Sequence, residues 1–527
     1  MPVVAANRLL LERPSTPAAA AAGAPPTVWA AAAPANAAEH PWDQAHRAIT
    51  AAAAAPAAVG APPAATFAEP DFEQAFPFPR PASGGIEMLR RSPCEDKDPD
   101  GDWPIGNPAH GWHLDGGHSR LKEARDGLGD PGDGNRVRVG ILDTGYDPVH
   151  ASIPLHVRFD LQKDFADGDD DASDPNRHLP GNQPGHGTAT LALLAGRKVL
   201  IPETGFDDFL GGAPHAEVVP VRIANSVIHF RTGAMADGIR YATQTKCRVL
   251  SISMGGIPSR AWARAVNEAY DAGVAIFAAA GNHFGPTPPR ETIWPARFGR
   301  VVAVCGVTAD GSPYFKPGLH SKMHGCFGPP SVMGTAMAAY TPNAPWALMG
   351  CVNGIGFAGG TSSATPQCAA AAALWFQKHP APAGAQSWQR VEAVRHAMFS
   401  SADRSHPQCE KFYGRGVLKA VPMLAVPFRT DLPITPPDSV SFPWLRLLGP
   451  GPAAADPFAA GRQDMFEVEA LQVFVETQRL QELAGGADPI ADKPAAKDVK
   501  AVLDAMRKLP GVSKALRAHL DGIVPKM

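Results

Sequence analysis

The sequence lacks three features that would place it in large classes of protein. Its 527 residues carry a formal net charge of −3, and no basic run of about five residues appears. This argues against a nucleic-acid partner bound through phosphate contacts. No stretch approaches the roughly 18 apolar residues of a membrane span. The seven cysteines include no C-x-x-C pair, which argues against a disulfide framework and a cysteine-based zinc site.

The cysteines and the first residues of the chain favour a cytoplasmic over a secreted protein. Cys305 lies in an apolar strand pattern and Cys368 in an apolar helix pattern, as expected of buried, reduced thiols. Segment 28–37 is alanine-rich like the end of a signal peptide, but it contains no leucine and is interrupted by Pro34. We therefore interpret the chain as retained in the cytoplasm.

Composition divides the chain into five parts, because a sequence this long exceeds one ordinary core. Residues 1–66 are dominated by alanine and proline and are expected to be disordered. Residues 67–103 read as a proline-rich linker or strap, and residues 104–425 as the main domain. A second proline-rich linker at 426–460 leads to a small helical appendage at 461–527. The appendage has no assigned chemistry and is a candidate surface for contact with another protein.

Apolar strand patterns alternate with helical patterns through the main domain. Strands are predicted at 136–143, 216–223, 248–254, 274–280 and 301–307, and helices at 187–196, 232–246, 259–273 and 363–379. The strands are apolar throughout rather than alternating, which is typical of a parallel sheet covered on both faces. The pattern predicts an α/β fold of three layers, α/β/α, with a central, mostly parallel sheet.

An acid, a base and a nucleophile follow one another in this domain, each in a glycine-flanked turn. Asp143 ends a predicted strand, His186 stands between two glycines, and Ser362 lies at the start of the last helix. Each residue alone is usually a turn residue, a loop residue or a helix N-cap. Together they predict a catalytic triad in which His186 takes the proton of the Ser362 hydroxyl and Asp143 orients the imidazole.

The motifs around these residues resemble those of the subtilisin-like serine peptidases, the subtilases, from residue 112 to residue 424. The matching segments are Trp112-His113-Leu114 with Ala124, Asp143-Thr144-Gly145, His186-Gly187-Thr188, Gly211-Gly212-Ala213-Pro214, Ser253-Met254-Gly255-Gly256, Ala278-Ala279-Ala280-Gly281-Asn282, Trp294-Pro295-Ala296, Gly360–Pro366 and Tyr413-Gly414-Arg415-Gly416. The resemblance implies a subtilisin-like fold and a serine endopeptidase that cleaves protein or peptide substrates through an acyl-enzyme. It also implies an oxyanion hole made by the side-chain amide of Asn282 and the backbone N–H of Ser362.

The resemblance further implies where a substrate lies. An extended peptide would pair with Ser253, Met254 and Gly255 by main-chain hydrogen bonds, which give affinity without side-chain identity. A side-chain pocket would lie between this segment and Ala278, Ala279 and Ala280. Ile293 is placed near the floor of that pocket, where the family often has glycine. We therefore expect a small or medium apolar residue before the cleaved bond.

No cofactor is required by this chemistry, although calcium has candidate ligands in the acidic loop between the acid and the base. The candidates are Asp167, Asp169, Asp171 and Asp174. Their spacing does not match an EF-hand loop, and the favoured alternative is a solvated acidic loop.

Two departures from the family and two other functions stay open. The alanine-rich start does not resemble a compact prodomain, so either the domain folds unaided or residues 67–111 form an inhibitory strap. Segment 320–358 differs from the usual run before the nucleophile.

The same acyl-enzyme could be resolved by an amine, which would make the protein a peptide ligase or cyclase. An inactive subtilase scaffold that acts as a binding module is the other alternative.

Overall fold

The computed structural model describes residues 3–4, 8–15, 27–32, 39–54, 63–75, 110–175, 184–227, 229–284, 291–314, 323–446 and 457–526. Its strands are β1 Val3–Val4, β2 Leu9–Pro14, β3 Thr27–Ala32, β4 Phe67–Pro70, β5 Glu73–Ala75, β6 Arg138–Asp143, β7 His156–Val157, β8 Lys163–Asp164, β9 Lys198–Ile201, β10 Phe206–Phe209, β11 Glu217–Arg222, β12 Ala224–Ser226, β13 His229–Arg231, β14 Val249–Ile252, β15 Ala275–Ala279, β16 Asn282–Phe284, β17 Val301–Val307, β18 Met323–Gly325, β19 Ala336–Tyr340, β20 Ala344–Ala347 and β21 Ile355–Ala358. Its helices are α1 Pro41–Ala54, α2 Leu121–Leu128, α3 His186–Ala195, α4 Thr232–Gln244, α5 Arg260–Asp271, α6 Pro330–Met333, α7 Thr361–Lys378, α8 Ser387–Ser401, α9 Cys409–Phe412, α10 Ala420–Ala425, α11 Pro457–Glu476, α12 Gln478–Leu483, α13 Ala496–Met506 and α14 Lys514–Ile523.

A parallel sheet forms the centre of the molecule. Its strand order is β19-β17-β15-β14-β6-β11-β7, and β8 also pairs with β11. All pairings in this sheet are parallel. The five predicted strands are confirmed to within two residues at either end. They are buried along nearly their whole length, because helices cover both faces of the sheet.

The helices form the two outer layers and so complete the predicted α/β/α fold. Helices α2, α3, α7 and α8 share an apolar core with one face, whereas α4 and α5 pack on the other face. Helix α7 is buried from Thr361 to Phe376, as its apolar residues on all sides predict. The carboxyl ends of the parallel strands and the first turns of α3 and α7 therefore meet at one edge of the sheet.

The expectation of disorder over residues 1–66 is wrong for the described part of that segment. Strands β2, β3 and β4 form a three-stranded antiparallel sheet, and α1 packs on it. The side chains of Leu10, Trp42, Ile49 and Phe67 are almost fully buried. A few large apolar residues among many alanines are enough to order the segment, because neighbouring elements bury them.

The C-terminal helical patterns are confirmed as α11 to α14, and these helices complete the core around the N-terminal segment. Trp42 Nε1 donates to Gln472 Oε1 at 3.1 Å, and Gln472 Nε2 donates to the carbonyl oxygen of Pro258 at 2.8 Å. The preceding linker packs along the main domain, where the Asp438 carboxylate accepts from the backbone N–H of Gly299 at 2.7 Å. Both ends of the chain thus share an apolar core with α4 and α5.

The cysteines follow the expectation of free thiols with one exception. Cys247, Cys305, Cys326, Cys368 and Cys409 are buried and form no disulfide, and burial raises the pKa of Cys247 and Cys305 to about 12. Cys351 is disulfide-bonded, which the sequence pattern did not predict. Cys94 lies outside the described residues. No helix within the described ranges is long and apolar enough to cross a membrane.

Candidate active site

Asp143 and His186 meet at the carboxyl edge of the sheet. Asp143 is the last residue of β6, and His186 opens α3 after Gly185, whose φ is 85°. The imidazole Nδ1 lies 2.7 Å from Asp143 Oδ1. The close approach depends on Gly187, since a Cβ there would collide with the carbonyl oxygen of Gly145. With the carboxylate accepting from Nδ1–H, the tautomer is the one in which Nε2 carries no proton and can act as a base.

The Asp143 carboxylate has two further donors. The backbone N–H of Thr144 donates to Oδ1 at 2.8 Å. The Thr190 hydroxyl donates to Oδ2 at 2.9 Å. Thr190 is one helical turn after His186 on α3, so it lies on the same face of that helix. The sequence analysis did not single out Thr190, although its spacing from His186 was a usable signal.

Ser362 is the second residue of α7 and is 7% exposed. Helix α7 packs against α3, which carries His186. Among the described residues, the Ser362 hydroxyl donates to the carbonyl oxygen of Ser253 at 3.0 Å, and no hydrogen bond joins it to His186. Ser253 Oγ in turn donates to the carbonyl oxygen of Ser362 at 3.0 Å. The predicted triad is thus hydrogen-bonded at its Asp–His contact and not at its His–Ser contact; such contacts are often long or poorly aligned without substrate.

The amide of Asn282 lies beside the first turn of α7. Its Oδ1 accepts from the backbone N–H of Thr361 at 2.9 Å and from the Thr361 hydroxyl at 3.3 Å. These contacts fix the amide so that Nδ2 is the end left to donate. A Cβ at Gly360, whose φ is 112°, would lie 3.3 Å from Nδ2, so glycine keeps this space open. The Ser362 N–H lies in the same first helical turn, whose N–H groups lack intrahelical acceptors.

Ile293 lies between the two segments expected to form the walls of the substrate pocket. Its backbone N–H donates to the carbonyl oxygen of Ala280 at 3.0 Å. A Cβ at Gly255 would lie 2.9 Å from Ile293 Cδ1, and one at Gly281 would lie 3.1 Å from it. The half-buried side chain therefore fills the space between these two glycines. Met254 is nearly fully buried, and Ala278, Ala279 and Ala280 are buried at and beyond the end of β15.

The described end of the predicted strap runs beside the substrate-binding segment. Strand β5 pairs antiparallel with β13, with Gln74 opposite Phe230. The fully buried Gln74 side chain accepts from the backbone N–H of Ile257 at 2.9 Å and donates to Thr232 Oγ1 at 3.0 Å. The same side chain contacts Gly256, the residue after Gly255. Residues 76–109 of the strap lie outside the described residues.

The calcium candidates do not converge on one point. Asp167 pairs with Arg222 at 2.9 Å. The other three carboxylates accept from the backbone: Asp169 from Asp171 N–H, Asp171 from Ser173 N–H, and Asp174 from Gly185 N–H. Clusters of three or more potential metal ligands within the described residues do not include any of the four. Local turns explain the contacts of Asp169 and Asp171, whereas Asp167 pairs with a buried arginine and Asp174 accepts from the residue before α3.

Trp346 is a second residue near the site that the sequence analysis missed. Strands β20 and β21 form a hairpin that packs against α3. From this hairpin the Trp346 ring contacts the His186 ring edge to face, with centroids 5.4 Å apart and an interplanar angle of 70°. No local motif indicated this contact, because the hairpin belongs to the segment that departs from the family.

An α/β/α fold with a strand-borne carboxylate, an imidazole and a helix-borne serine near one sheet edge is typical of serine hydrolases. The Subtilase family model matches residues 134–416. Subtilisin DY of Bacillus licheniformis is 29% identical over 289 residues, which cover 54% of this chain and 89% of that protein. Subtilisin E of Bacillus subtilis (strain 168) is 27% identical over 287 residues, 54% of this chain and 65% of that protein. The chain belongs to the subtilase family and is a subtilisin-like serine endopeptidase.

Two solved protease structures resemble the chain at low identity. One is a protease of Pseudoalteromonas arctica PAMC 21717, with 22% identity, a TM-score of 0.47, and coverage of 62% of this chain and 99% of that one. The other is fervidolysin of Fervidobacterium pennivorans, a keratinolytic enzyme related to subtilisin. It has 19% identity, a TM-score of 0.48, and coverage of 70% of this chain and 53% of that one.

Proposed function

We propose that this endopeptidase hydrolyses peptide bonds through an acyl-enzyme on Ser362. The Ser362 Oγ attacks the scissile carbonyl carbon while its proton passes to Nε2 of His186. The C–N bond then breaks, and His186 returns the proton to the leaving amine. Water resolves the ester by the same route. The 2.7 Å contact between Asp143 and the imidazole supports this assignment, since it stabilises the imidazolium formed in each step.

The Ser362 hydroxyl must leave the carbonyl oxygen of Ser253 before it can react. Rotation about its Cα–Cβ bond is the smallest movement that would bring it towards His186. A substrate strand paired along residues 253–255 would favour this rotation by placing its carbonyl carbon beside the serine. Asn282 Nδ2 and the Ser362 N–H would then hold the oxyanion; the loss of one such donor costs about 10²–10³ in kcat in the best-studied case, a subtilisin.

The function is tested by labelling the full chain with a fluorophosphonate, which esterifies only an activated serine. We expect labelling and peptide cleavage in the wild type and neither in Ser362→Ala. Asn282→Ala should keep slow labelling and lose most cleavage. A folded wild type that is neither labelled nor active would instead support the inactive binding scaffold.

The mass of the product separates hydrolysis from ligation. The substrate is cleaved in the presence of a second peptide that carries a free amine. Hydrolysis should give two fragments whose summed mass exceeds that of the substrate by one water. Fragments joined to the added peptide, as the main product, would show that an amine resolves the acyl-enzyme and that the ligase alternative is correct.

We propose in addition that residues 67–75 hold the enzyme in a restrained state, the strap option above. Support comes from Gln74, whose side chain satisfies the backbone N–H of Ile257 next to the substrate-binding segment. Gln74→Ala removes that contact and the one to Thr232, and should raise the turnover of a short peptide per titrated serine. Glu123→Ala, on the exposed surface of α2, is the control. Equal turnover in the two variants would contradict the strap.

A further inference from the structure

The amino-terminal edge of the central sheet carries a separate cluster of polar side chains. His156 opens β7, His215 lies two residues before β11, and Asp130 lies between α2 and β6. Asp143 stands at the opposite end of β6, and the intervening residues span roughly 17 Å. The cluster is therefore remote from the active site.

The three side chains point at one another. One ring nitrogen of each histidine and a carboxylate oxygen of Asp130 lie within 4.8 Å of one another. Within the described residues, His156 Nε2 and His215 Nδ1 are shielded from solvent and have no hydrogen-bond partner. Buried polar atoms normally have partners, so two unpartnered imidazole nitrogens beside a carboxylate call for a ligand.

The donor atoms of the cluster suit a cation that prefers nitrogen, because a neutral imidazole offers a lone pair to such an ion. Arg136 donates to both oxygens of Asp130, at 2.6 and 3.2 Å, and the backbone N–H of Gly132 donates to Oδ1. These contacts orient the carboxylate towards the two histidines, as outer groups do for metal ligands.

We propose that Asp130, His156 and His215 bind a divalent ion of the zinc class. Two imidazole nitrogens and one carboxylate oxygen form a donor set that zinc accepts, with water at the fourth position, whereas calcium takes oxygen ligands. The bound ion would fasten the turn after α2 to the start of β7 and to the approach to β11. Its role would be to stabilise the fold, since it cannot reach the reacting atoms.

The test uses the full chain carrying Ser362→Ala, stripped of metal with a chelator. Zn²⁺ should raise the melting temperature by a few degrees, and Co²⁺ should give visible absorption bands of a low-coordinate site. Both signals should be lost in His156→Gln and His215→Gln. They should persist in His396→Gln, a half-buried histidine outside the cluster, and in His186→Ala. Ca²⁺ should have no effect.

Three results would overturn the proposal: no response to Zn²⁺ or Co²⁺, a response that survives both glutamine variants, or one lost in His186→Ala, which would place the ion in the active site. If a histidine variant does not fold, Asp130→Asn on the exposed turn provides the same comparison. It should weaken the Co²⁺ signal, and an unchanged Co²⁺ titration would count against the site.

Discussion

The Asp143 carboxylate is held at both oxygens, and the two donors besides His186 have different origins. The Thr144 N–H belongs to the turn that the acid motif predicts, whereas the Thr190 hydroxyl comes from α3. A donor on Oδ2 withdraws part of the negative charge that stabilises the imidazolium, and it also fixes the plane of the carboxylate. Thr190 is therefore a positioning residue with an electrostatic effect on His186.

Thr190→Val keeps the shape of the side chain and removes only the donor. Without this donor the plane of the carboxylate is less well fixed and the imidazole is oriented less precisely, so kcat should fall roughly tenfold with KM little changed. Thr190→Ser should restore kcat. An unchanged kcat in the valine variant would show that Thr190 only fills space.

Ile293 is expected to limit the depth of the substrate pocket and so to favour a small or medium apolar residue before the cleaved bond. Its side chain occupies the space beside Gly255 and Gly281, so Ile293→Ala should open that space to larger side chains. Peptides with Phe before the cleaved bond should gain roughly tenfold in kcat/KM relative to peptides with Ala. Ile293→Val is the matched control and should change this ratio little. A wild type that already prefers Phe or Lys would refute the expected specificity.

Residue by residue, sequence reasoning could propose only groups that stand inside local motifs, and it missed those brought in by tertiary contacts. The candidate site residues at strand ends or helix starts can be recognised from the sequence next to them; these are Asp143, His186, Ser362 and Asn282. Trp346 approaches His186 from a hairpin about 160 residues away along the chain, and nothing in its own neighbourhood indicates that contact.

At the scale of elements, the described N-terminal strands act as caps for the helices on one face of the sheet. Asp71 Oδ1 accepts from the backbone N–H of Gly233 at 2.6 Å, at the start of α4. Glu69 accepts from Ala261 N–H at 2.7 Å, at the start of α5. Helix N-termini have unpaired N–H groups and favour negative charge, so both contacts attach the N-terminal segment to the main domain.

Asp71→Ala removes the cap of α4 and the ion-pair partner of Arg8. We expect a loss of about 1–3 kcal/mol in the attachment of the N-terminal segment, since a buried donor is left unsatisfied. Limited proteolysis of the Ser362→Ala protein should then cut within residues 8–75 faster than in the parent. Asp71→Asn keeps an acceptor for Gly233 and should give an intermediate rate. A rate equal to that of Glu123→Ala would mean that the cap contributes nothing.

The strands and helices between residues 136 and 379 could be predicted because apolar periodicity decides them locally. The order of residues 27–32 and 41–54 could not, because these alanine-rich segments carry little periodic signal. Their few large side chains become buried only through partners far along the chain, as Trp42 does beside Gln472. The overall composition of a segment does not reveal these few large apolar residues, which is why disorder was the wrong expectation there.

At the scale of the whole molecule, the two ends of the chain stabilise each other. The Asp43 carboxylate accepts from the backbone N–H groups of Lys514 and Ala515, at the start of α14. Glu469 on α11 accepts from the Ser513 N–H and from the Ser513 hydroxyl, both at 2.8 Å. The C-terminal helices thus stabilise the N-terminal segment, whose last described strand is β5. Loss of these helices should therefore also weaken the proposed strap.

The contact between α11 and the start of α14, on which the contact between the chain ends depends, should vary in stability with pH through Glu469. Burial raises the pKa of Glu469 to about 8 and that of Glu69 to about 7, against about 4.5 in the unfolded chain. For such a group the folded state binds the proton more tightly, so its stabilisation is complete below about pH 4.5 and is lost as the pH rises towards the folded pKa. Each such group should therefore lower the free energy of unfolding as the pH rises, by at most about 1.4 kcal/mol per unit for each proton. Histidines whose pKa is lowered by burial, among them His46 and His113, act in the opposite direction below about pH 7, so the decline is expected above that pH.

Between about pH 7 and 8 Glu469 should account for most of this decline, because Glu69 has by then largely ionised. Glu469→Gln keeps an uncharged acceptor and should flatten the slope in that window. Urea unfolding of the Ser362→Ala protein from pH 7 to 9 measures the slope. Glu482→Gln, on the exposed surface of α12, is the control and should follow the parent. An unchanged slope between pH 7 and 8 in Glu469→Gln would show that Glu469 is already ionised in the folded chain at neutral pH.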